Sequence, residues 1–325
     1  MPKGLIDVHH HFWPAALSNF EKEHDLKLGY ELPQENFPWS PEVSISFMNQ
    51  SGIDTTILSF PALSTGKVSE ENRALARQNN VEMAKACKEN PGRFGFFAHM
   101  PYLFDTEGVL AEIAYALDEL KADGVAISSS YGAGLEAKYV GNKVFEPIWA
   151  ELNSREAVVF LHGTQTPSSN THPDPTLGIP MVQVPNETFK AASSLVVTST
   201  KRKFPDVKII LSHMGGSMPF LSPRIAAGAY YMGCSLTPEE IIADFKSFYF
   251  DTALSAHETT LITMESFITP DRLLFGSDFP AASKDMISWY TENMKDFYAQ
   301  KPNQYENVAY RNALKIFPRL ETTGK

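Results

Sequence analysis

Five residues of the types that bind metal ions stand in positions from which they could share one ion. His9 and His11 are separated by a single residue in an apolar segment, and His162, His213 and Asp278 each follow a further apolar run. Residues two apart in a β-strand point to the same side, so His9 and His11 can face one site. Neutral imidazole and carboxylate ligands suit Zn²⁺ or Mn²⁺ and leave a coordination position open for water or substrate.

Each of these histidines also has a simpler interpretation, as a polar residue whose hydrogen bonds are satisfied within the protein. For His213 taken alone, that interpretation is as good as a functional one. It is the better one for His10, which should point away from its neighbours toward the barrel wall. His99 ends another apolar run and could face a substrate. The five residues together, in this chain order, favour a metal site.

The apolar runs that carry or precede these residues predict eight parallel strands. Each run is short and almost continuously apolar, as in strands buried on both faces. Amphipathic segments with helix-start signals, such as Ser40-Pro41 and Thr237-Pro238, lie between them. This alternation predicts a (β/α)8 TIM-type barrel of the α/β class. The predicted strands are Leu5–His9, Thr55–Phe60, Phe94–His99, Gly124–Ser128, Val158–His162, Lys208–His213, Ser247–Asp251 and Leu273–Gly276.

The chain of 325 residues shows no linker, internal repeat or low-complexity segment, so one domain over residues 1–325 is predicted. Two connections are too long for simple turns: residues 12–39 after the first strand and residues 163–185 after the fifth. Both leave the C-terminal face of the barrel, where the active sites of this fold are built. We therefore expect them to be lid or cap loops over the site.

Composition argues against several classes of function. The formal net charge is -10 and the pI about 5.4, whereas nucleic-acid binding needs clustered Lys and Arg. The sequence has neither an apolar run long enough to cross a membrane nor a signal-peptide pattern at its start. The two isolated cysteines, Cys87 and Cys234, cannot form a disulfide framework. We expect a cytoplasmic protein that acts on a small molecule.

Two further positions limit the number of metal ions and the class of reaction to expect. The fourth strand ends in Ser128-Ser129-Ser130, where barrel hydrolases with two metal ions usually carry a bridging Lys or Glu, so one ion is expected. His213 is followed by Met-Gly-Gly rather than by a segment with the Glu that deaminases of this fold place near their metal. Deamination is therefore disfavoured.

With these features assembled, the sequence resembles the amidohydrolase superfamily and, within it, the branch of metal-dependent, non-oxidative decarboxylases. Five motifs carry the resemblance, and their order and spacing match the family over nearly the whole chain. They are IDVHHHFWP at 6–14, WSPEVSISFMNQSGID at 39–54, LHG at 161–163, KIILSHMGGSMPFLSPRI at 208–225 and RLLFGSDFP at 272–280.

The resemblance implies roles for individual residues. His213 would be a catalytic or orienting base. Arg224 matches an arginine that reaches a neighbouring subunit's site in aminocarboxymuconate-semialdehyde decarboxylase, which implies a homodimer or higher homo-oligomer; a local helix-end ion pair is the alternative. The implied ligands of one divalent ion, Zn²⁺ or Mn²⁺, are His9, His11, His162 and Asp278.

The resemblance also narrows the substrate. In the segment PEVSISFMNQ, Ser44 and Ser46 stand where aminocarboxymuconate-semialdehyde decarboxylase has arginine that helps to bind a second carboxylate. A monocarboxylate with an aromatic ring is therefore expected, with Phe279 among its contacts. The 6-methylsalicylate decarboxylase type, which forms m-cresol and CO2, fits best. Resorcylate and dihydroxybenzoate decarboxylases fit less well, because they typically begin with a Glu-containing motif in place of His-x-His.

In the mechanism expected for this type, the ion binds the carboxylate and the ortho-phenolic oxygen of the substrate. Asp278, or a water molecule at the ion, then protonates the ring carbon, and CO2 leaves. Two alternatives stay open at this point. One is hydrolysis of a small lactone or amide on the same ligands. The other is a non-catalytic, metal-stabilised binding protein, which would have no need of a base at His213.

Overall fold

The computed structural model describes residues 4–14, 17, 29–63, 66–164, 174 and 176–321. Eight parallel strands lie side by side in chain order, and a two-stranded antiparallel hairpin, β5 (Ser130–Tyr131) with β6 (Lys138–Tyr139), follows the fourth. All eight predicted strands are confirmed, with ends that differ by a few residues. The parallel strands are β1 (Leu5–His11), β2 (Ile53–Ser59), β3 (Phe94–His99), β4 (Gly124–Ser128), β7 (Val158–His162), β8 (Lys208–Leu211), β9 (Tyr249–Asp251) and β10 (Leu273–Leu274).

The sheet closes into a barrel because the segment that follows β10 pairs with β1. The Val8 N–H donates to the Phe275 carbonyl at 3.0 Å, and the Asp278 N–H donates to the His9 carbonyl at 2.8 Å. A third bond runs from the His11 N–H to the Phe279 carbonyl at 2.7 Å. The predicted (β/α)8 barrel is thus confirmed. Its seam is made by the segments that carry His9 and Asp278.

Helices lie between successive strands, and the two predicted start signals are confirmed. The Ser40 hydroxyl accepts the Val43 N–H, and Thr237 and Glu240 form a reciprocal capping box. None of the described helices combines the length and the apolar character needed to cross a membrane. The helices are α1 (Pro41–Ser51), α2 (Glu70–Glu89), α3 (Thr106–Ala114), α4 (Glu146–Ser154), α5 (Ile179–Val197), α6 (Thr200–Lys203), α7 (Met218–Tyr231), α8 (Pro238–Lys246), α9 (Glu258–Phe267), α10 (Lys284–Phe297), α11 (Pro302–Glu306) and α12 (Asn312–Ile316).

The connection after β7 is shorter than predicted. We expected a loop over residues 163–185, but α5 already begins at Ile179. Pro180 lies in the first turn of α5. The backbone N–H groups of a first turn have no partner within the helix, so proline loses no helical hydrogen bond there. Pro185 lies inside the helix, which its buried face stabilises despite the lost bond. Residues 15–16, 18–28, 165–173 and 175 of the two predicted lids lie outside the described residues, so a lid function stays a prediction.

Gly163, the last residue of the LHG motif, lies against the backbone of α5. A Cβ atom at this position would overlap the Val184 carbonyl oxygen. Because a backbone atom cannot move aside alone, Gly163→Ala should displace the start of α5 and destabilise the fold by roughly 1–3 kcal/mol. Urea unfolding measures this change.

Gly228→Ala is the matched control for this substitution. A Cβ at Gly228, within α7, would have no described heavy atom of this chain within 4 Å apart from the neighbouring backbone of its own helix. Alanine there should leave stability unchanged or raise it by up to about 1 kcal/mol, because alanine has the higher helix propensity. If both variants unfolded at the same urea concentration, the close contact of Gly163 with α5 would not contribute to stability.

Candidate metal centre

The five residues singled out from the sequence come together at the C-terminal ends of the barrel strands. His9 and His11 lie in β1, His162 ends β7, and His213 and Asp278 follow β8 and β10. The Nε2 atoms of His9 and His11 are 3.3 Å apart, and Asp278 Oδ1 lies 3.2 and 3.1 Å from them. One ligand atom from each of four residues falls within 4.8 Å of the others: His9, His11, His162 and Asp278.

An irregularity in β1 turns both ligand histidines into the barrel. Ile6 and Val8 belong to the apolar cluster inside the barrel, so strict alternation would point His10 inward as well. The register of β1 against β2 shifts between Asp7 and His10. A bulge of this kind re-aims the side chains that follow it, so the rings of His9 and His11 share the interior with Val8.

His10 takes the outer position and has a structural role, as the sequence suggested. Its Nδ1 lies 3.1 Å from an Asp7 carboxylate oxygen and its Nε2 lies 2.9 Å from the Ser44 hydroxyl. The Ser44 hydroxyl also accepts the Trp39 indole N–H at 2.9 Å. Ser44 therefore holds His10 in place behind the site.

The hydrogen bonds around the cluster determine which ring nitrogen of each histidine carries the hydrogen. A carbonyl or carboxylate oxygen can only accept, so a ring nitrogen beside it carries the hydrogen, and the other nitrogen of a neutral imidazole presents a lone pair. In all four histidines Nδ1 lies beside such an oxygen. In His9 and His11 the ligand oxygen Asp278 Oδ1 also lies beside Nε2, so with the hydrogen on Nδ1 the Nε2 lone pairs and this carboxylate oxygen could bind one metal ion placed between them. The acceptors are Asp251 Oδ2 for His9 at 2.9 Å, the Ser59 carbonyl for His11 at 3.4 Å, the Gly163 carbonyl for His162 at 2.8 Å and the Ala253 carbonyl for His213 at 3.1 Å.

One buried atom tests whether a metal ion fits here. His162 Nε2 is fully buried and has no hydrogen-bond partner among the residues that the structure describes. A buried acceptor without a partner is costly, and a cation bound to its lone pair would remove that cost. Three neutral imidazoles with one carboxylate also form a donor set that suits a borderline divalent ion. The residues present therefore fit one metal ion.

Electrostatics around the cluster favour one positive charge at its centre. Burial lowers the pKa of His11 and holds that of His162 well below its ordinary value, so both rings are neutral. Burial acts the same way on His9, but the negative charges of Asp251 and Asp278 outweigh it and raise the pKa of His9 to about 10. Two buried carboxylates thus attract a positive charge, which either a proton or a bound cation can supply.

Asp278 is ionised. Burial alone would raise the pKa of this carboxyl, but the charge of His9 and hydrogen bonds from His11 and His9 hold it well below its usual range. Its backbone, at φ 68°, lies in the left-handed region. Non-glycine residues adopt that conformation rarely, and often where a functional side chain must be aimed.

His213 lies beside the four ligands. Its Nε2 is 4.0 Å from Asp278 Oδ2, and its backbone also has a positive φ, of 53°. Burial lowers the pKa of its ring, so it is a neutral imidazole in the site. With its Nδ1 hydrogen directed to the Ala253 carbonyl, its Nε2 lone pair faces the site, and its role as a base stays a prediction.

Asp251 is a functional residue that the sequence interpretation missed. It ends β9, fully buried, and its Oδ2 accepts from His9 Nδ1 while its Oδ1 accepts the backbone N–H groups of His213 and Ala253 at 3.0 Å. It therefore orients one predicted ligand and the base together. The available signal was a carboxylate at the C-terminal end of a predicted barrel strand.

Asp251→Asn should weaken metal binding by about 10- to 100-fold, as losses of partners behind ligand histidines commonly do. An amide has one acceptor oxygen for the three donors that this carboxylate now satisfies. Titration against a chelator of known affinity measures the effect. Asp105→Asn, at another buried aspartate that binds Arg73 and caps α3, is the control and should lower stability without changing metal affinity. Equal metal affinity in the wild type and Asp251→Asn would show that Asp251 is not needed to orient His9.

In front of the cluster lies a cavity of about 300 Å³. Its inner wall includes His11, His162, His213 and Asp278, and most of the remaining lining is apolar. None of the described residues that line it is a Lys or an Arg. The cavity therefore suits an apolar body whose charged group is bound by a metal ion. The apolar part of the wall includes Trp13, Leu32, Pro61, Met181, Val184, Leu254 and Met286.

Two expected substrate contacts are not made within this chain. Phe279 was expected to touch the substrate, but its fully buried ring stacks on Phe47 at 4.1 Å and packs against His10. Phe279 directly follows Asp278. Because the Asp278 side chain faces the cavity, the Phe279 side chain points away from the cavity. Arg224 lies exposed on α7, outside the residues that line the cavity. No ion pair links it to another described residue, so the local ion pair considered as its alternative role is not present there.

Comparison with known proteins now gives the family. A family model described as Amidohydrolase matches residues 6–319. The chain belongs to the amidohydrolase family. Among curated amidohydrolase relatives, 6-methylsalicylic acid decarboxylase of Penicillium expansum is 39% identical over 97% of both chains. A 6-methylsalicylic acid decarboxylase of Aspergillus aculeatus is 40% identical over 97% of this chain and 96% of its own.

Solved structures show the same amidohydrolase barrel. A 2,6-dihydroxybenzoate decarboxylase in complex with 2,6-dihydroxybenzoate superposes with a TM-score of 0.80 at 22% identity, over 97% of this chain and 99% of that one. The manganese-bound dihydroxybenzoic acid decarboxylase of Polaromonas sp. JS666 gives a TM-score of 0.81 at 23% identity, over 97% of both chains. At these identities the similarity concerns the fold.

Proposed function

We propose that this amidohydrolase is a metal-dependent carboxy-lyase that converts 6-methylsalicylate into m-cresol and CO2. The observation that carries the proposal is the similarity, at about 40% identity over nearly the full chain, to curated 6-methylsalicylic acid decarboxylases. The site supports it, because a cluster of metal-ligand type opens into an apolar cavity that can hold an aromatic ring.

One divalent ion, Zn²⁺ or Mn²⁺, completes the proposed site, held by His9, His11, His162 and Asp278. Such an ion would supply a positive charge for the carboxylate and the ortho-phenolic oxygen of the substrate. Charge balance supports this assignment, because the cavity has no cationic side chain among its described lining residues. The apolar wall formed by residues such as Met181 and Leu254 would contact the ring and its methyl group.

In this proposal Asp278 and His213 move the proton. The ionised Asp278 carboxylate accepts the phenolic proton of the bound substrate and returns it to the ring carbon that bears the carboxylate. His213, 4.0 Å away, stabilises Asp278 while it holds that proton. The bond between ring carbon and carboxylate then breaks, its electron pair restores the aromatic ring, and CO2 leaves. The phenolate takes up a proton from water as m-cresol departs.

Incubation of the metal-loaded protein with 6-methylsalicylate, followed by chromatography for m-cresol, tests the reaction. Salicylate and 2,6-dihydroxybenzoate in parallel define the ring substituents that the cavity accepts. Product from 6-methylsalicylate at the highest kcat/KM is the expected result. Activity on none of the three acids, together with hydrolysis of small lactones or amides, would replace this proposal with a hydrolase. Binding of the acids without turnover would indicate the non-catalytic alternative.

We further propose that two copies of the chain associate through α7 and that Arg224 of one copy reaches the cavity of the other. Helix α7 and the residue after it expose large apolar side chains on both sides of Arg224, among them Phe220, Tyr231 and Met232. Exposed apolar surface of this kind is typical of an interface. The described lining of the cavity includes no cationic side chain, so an arginine supplied by the partner could bind the substrate carboxylate in addition to the metal ion.

Arg224→Ala should therefore raise KM for 6-methylsalicylate roughly 10-fold or more, the usual effect of losing a charge-assisted hydrogen bond, while the metal content stays unchanged. Mixing Arg224→Ala with the inactive variant His162→Ala should restore a fraction of the activity, because mixed dimers contain one intact site. Sedimentation experiments establish whether dimers form. A monomer with full activity, or an unchanged KM, would contradict the proposal.

A further inference from the structure

A second, smaller cavity adjoins the one in front of the metal ligands. It measures about 120 Å³ and shares Pro61, Ala62 and His162 with the larger cavity. Because the predicted metal ligand His162 lines both cavities, the smaller cavity lies directly beside the predicted metal site. We call it the His99 lobe, after the histidine that ends β3 and lines it.

His99 is held in one orientation and offers one donor to the lobe. Its ring stacks on Phe60 with centroids 4.1 Å apart, and its Nδ1 lies 3.1 Å from the Asn79 amide nitrogen. Because the amide nitrogen donates, Nδ1 accepts and Nε2 carries the hydrogen. Among the described residues, Nε2 has no hydrogen-bond partner. Burial lowers the pKa of His99 to about 4, so the ring is neutral at physiological pH.

The lobe has no formal charge among the described residues that line it. Its other walls include apolar side chains, among them Leu63, Met100, Ile127 and Phe160, and the polar residues Asn72, Tyr102, Ser128 and Tyr131. The Ser128 hydroxyl donates to the Leu63 carbonyl, and the Tyr131 hydroxyl accepts the Ser128 N–H. Bicarbonate and carboxylates are disfavoured there, since a buried anion needs a cationic partner and none of the described lining residues is a Lys or an Arg. A small uncharged molecule with an acceptor oxygen fits the His99 N–H group and the apolar part of the walls.

We propose that the His99 lobe is a binding site for CO2, with an oxygen of CO2 accepting the His99 Nε2 hydrogen. The inference rests on the proposed decarboxylation, in which the carboxylate carbon leaves the ring as uncharged CO2 beside His162. The lobe takes the CO2 away from the ring carbon once the bond between them has broken. In the reverse direction it concentrates CO2, rather than bicarbonate, next to a bound phenol.

Carboxylation of m-cresol at high dissolved CO2 tests this site. Reactions started from CO2 or from bicarbonate, with and without carbonic anhydrase, identify the species used, which we expect to be CO2. His99→Phe keeps a ring against Phe60 but removes the donor. It should raise KM for CO2 roughly 2- to 10-fold, the effect of one lost neutral hydrogen bond, and change KM for 6-methylsalicylate less. His99→Gln, which restores an N–H donor, should recover part of the affinity.

Met181→Ala is the matched control, because Met181 lines the larger cavity only. It should raise KM for 6-methylsalicylate and leave KM for CO2 nearly unchanged. The opposite pattern, in which His99→Phe raises mainly KM for the aromatic acid, would overturn the proposal and assign the lobe to a ring substituent. An unchanged KM for both compounds in His99→Phe would overturn it too.

Crystals of the metal-loaded protein pressurised with CO2 give a readout that does not require turnover. Density for a linear molecule beside His99 in the wild type, lost in His99→Phe, is the expected result, and an empty lobe in the wild type would contradict the proposal. If the wild type formed no m-cresol from 6-methylsalicylate, the proposed function would fail, and the crystals would still decide whether the lobe binds CO2.

Discussion

His162→Ala should lose the metal ion and lower m-cresol formation by at least roughly 10³-fold, since a metal ion contributes several kcal/mol to such chemistry and each tenfold in rate is about 1.4 kcal/mol. The expectation comes from the His162 Nε2 atom, which is buried, has no hydrogen-bond partner within the described part of the chain and belongs to the group of converging ligand atoms. Alanine removes this atom but keeps the backbone of β7.

Elemental analysis of the purified variant, together with single-turnover rates, measures both effects. His257→Ala is a control at an exposed histidine that caps α9 and stacks on Trp289. It should cost about 1 kcal/mol of stability at most and leave metal content and rate as in the wild type. If His162→Ala kept a full equivalent of metal and normal turnover, His162 would not be a ligand.

His213→Ala should keep the metal and lower kcat by about 10²- to 10⁴-fold, the range for loss of a positioned acid or base. His213 Nε2 lies 4.0 Å from Asp278 Oδ2, whereas the four proposed ligands do not include it. Without the imidazole, Asp278 loses the neighbour that stabilises its protonated form. KM for 6-methylsalicylate should change less than kcat.

Asp278→Asn separates the role of His213 from that of a ligand. Asp278→Asn should lose both metal and turnover, because the same side chain is proposed to bind the ion and to carry the proton. His213→Ala should lose turnover alone. Unchanged turnover in His213→Ala would remove His213 from the mechanism. Loss of the metal in that variant would instead make His213 a ligand.

The barrel and the convergence of the ligands were predictable because they depend on short-range signals. Apolar runs bounded by helix starts define eight strands, and the ends of parallel strands meet at one face. The orientation of His9 and His11 was predicted correctly, but not for a complete reason. Alternation along a strand places His9 and His11 on the same side of β1. The irregularity in β1 turns that side toward the interior of the barrel, where Val8 also lies.

The errors arose where the fold overrides local sequence preference. The connection after the fifth strand was predicted as a loop as far as residue 185, yet Pro180 lies in the first turn of α5 and Pro185 lies inside this helix, which its packing stabilises. Phe279 was assigned to the substrate as an aromatic loop residue, although its position after Asp278 points it away from the cavity. Asp251 received no role, since its partners lie far away in the sequence.

The seam of the barrel has a consequence for how the protein is made. His9 and His11 belong to the first strand, while Asp278 follows the last, and the backbone of Asp278 donates to that of His9. A ribosome releases all eight parallel strands before the carboxylate that completes the site emerges. The growing chain therefore carries three histidines of an unfinished site. A metal ion bound afterwards would link the first strand of the closed barrel to the segment after the last strand.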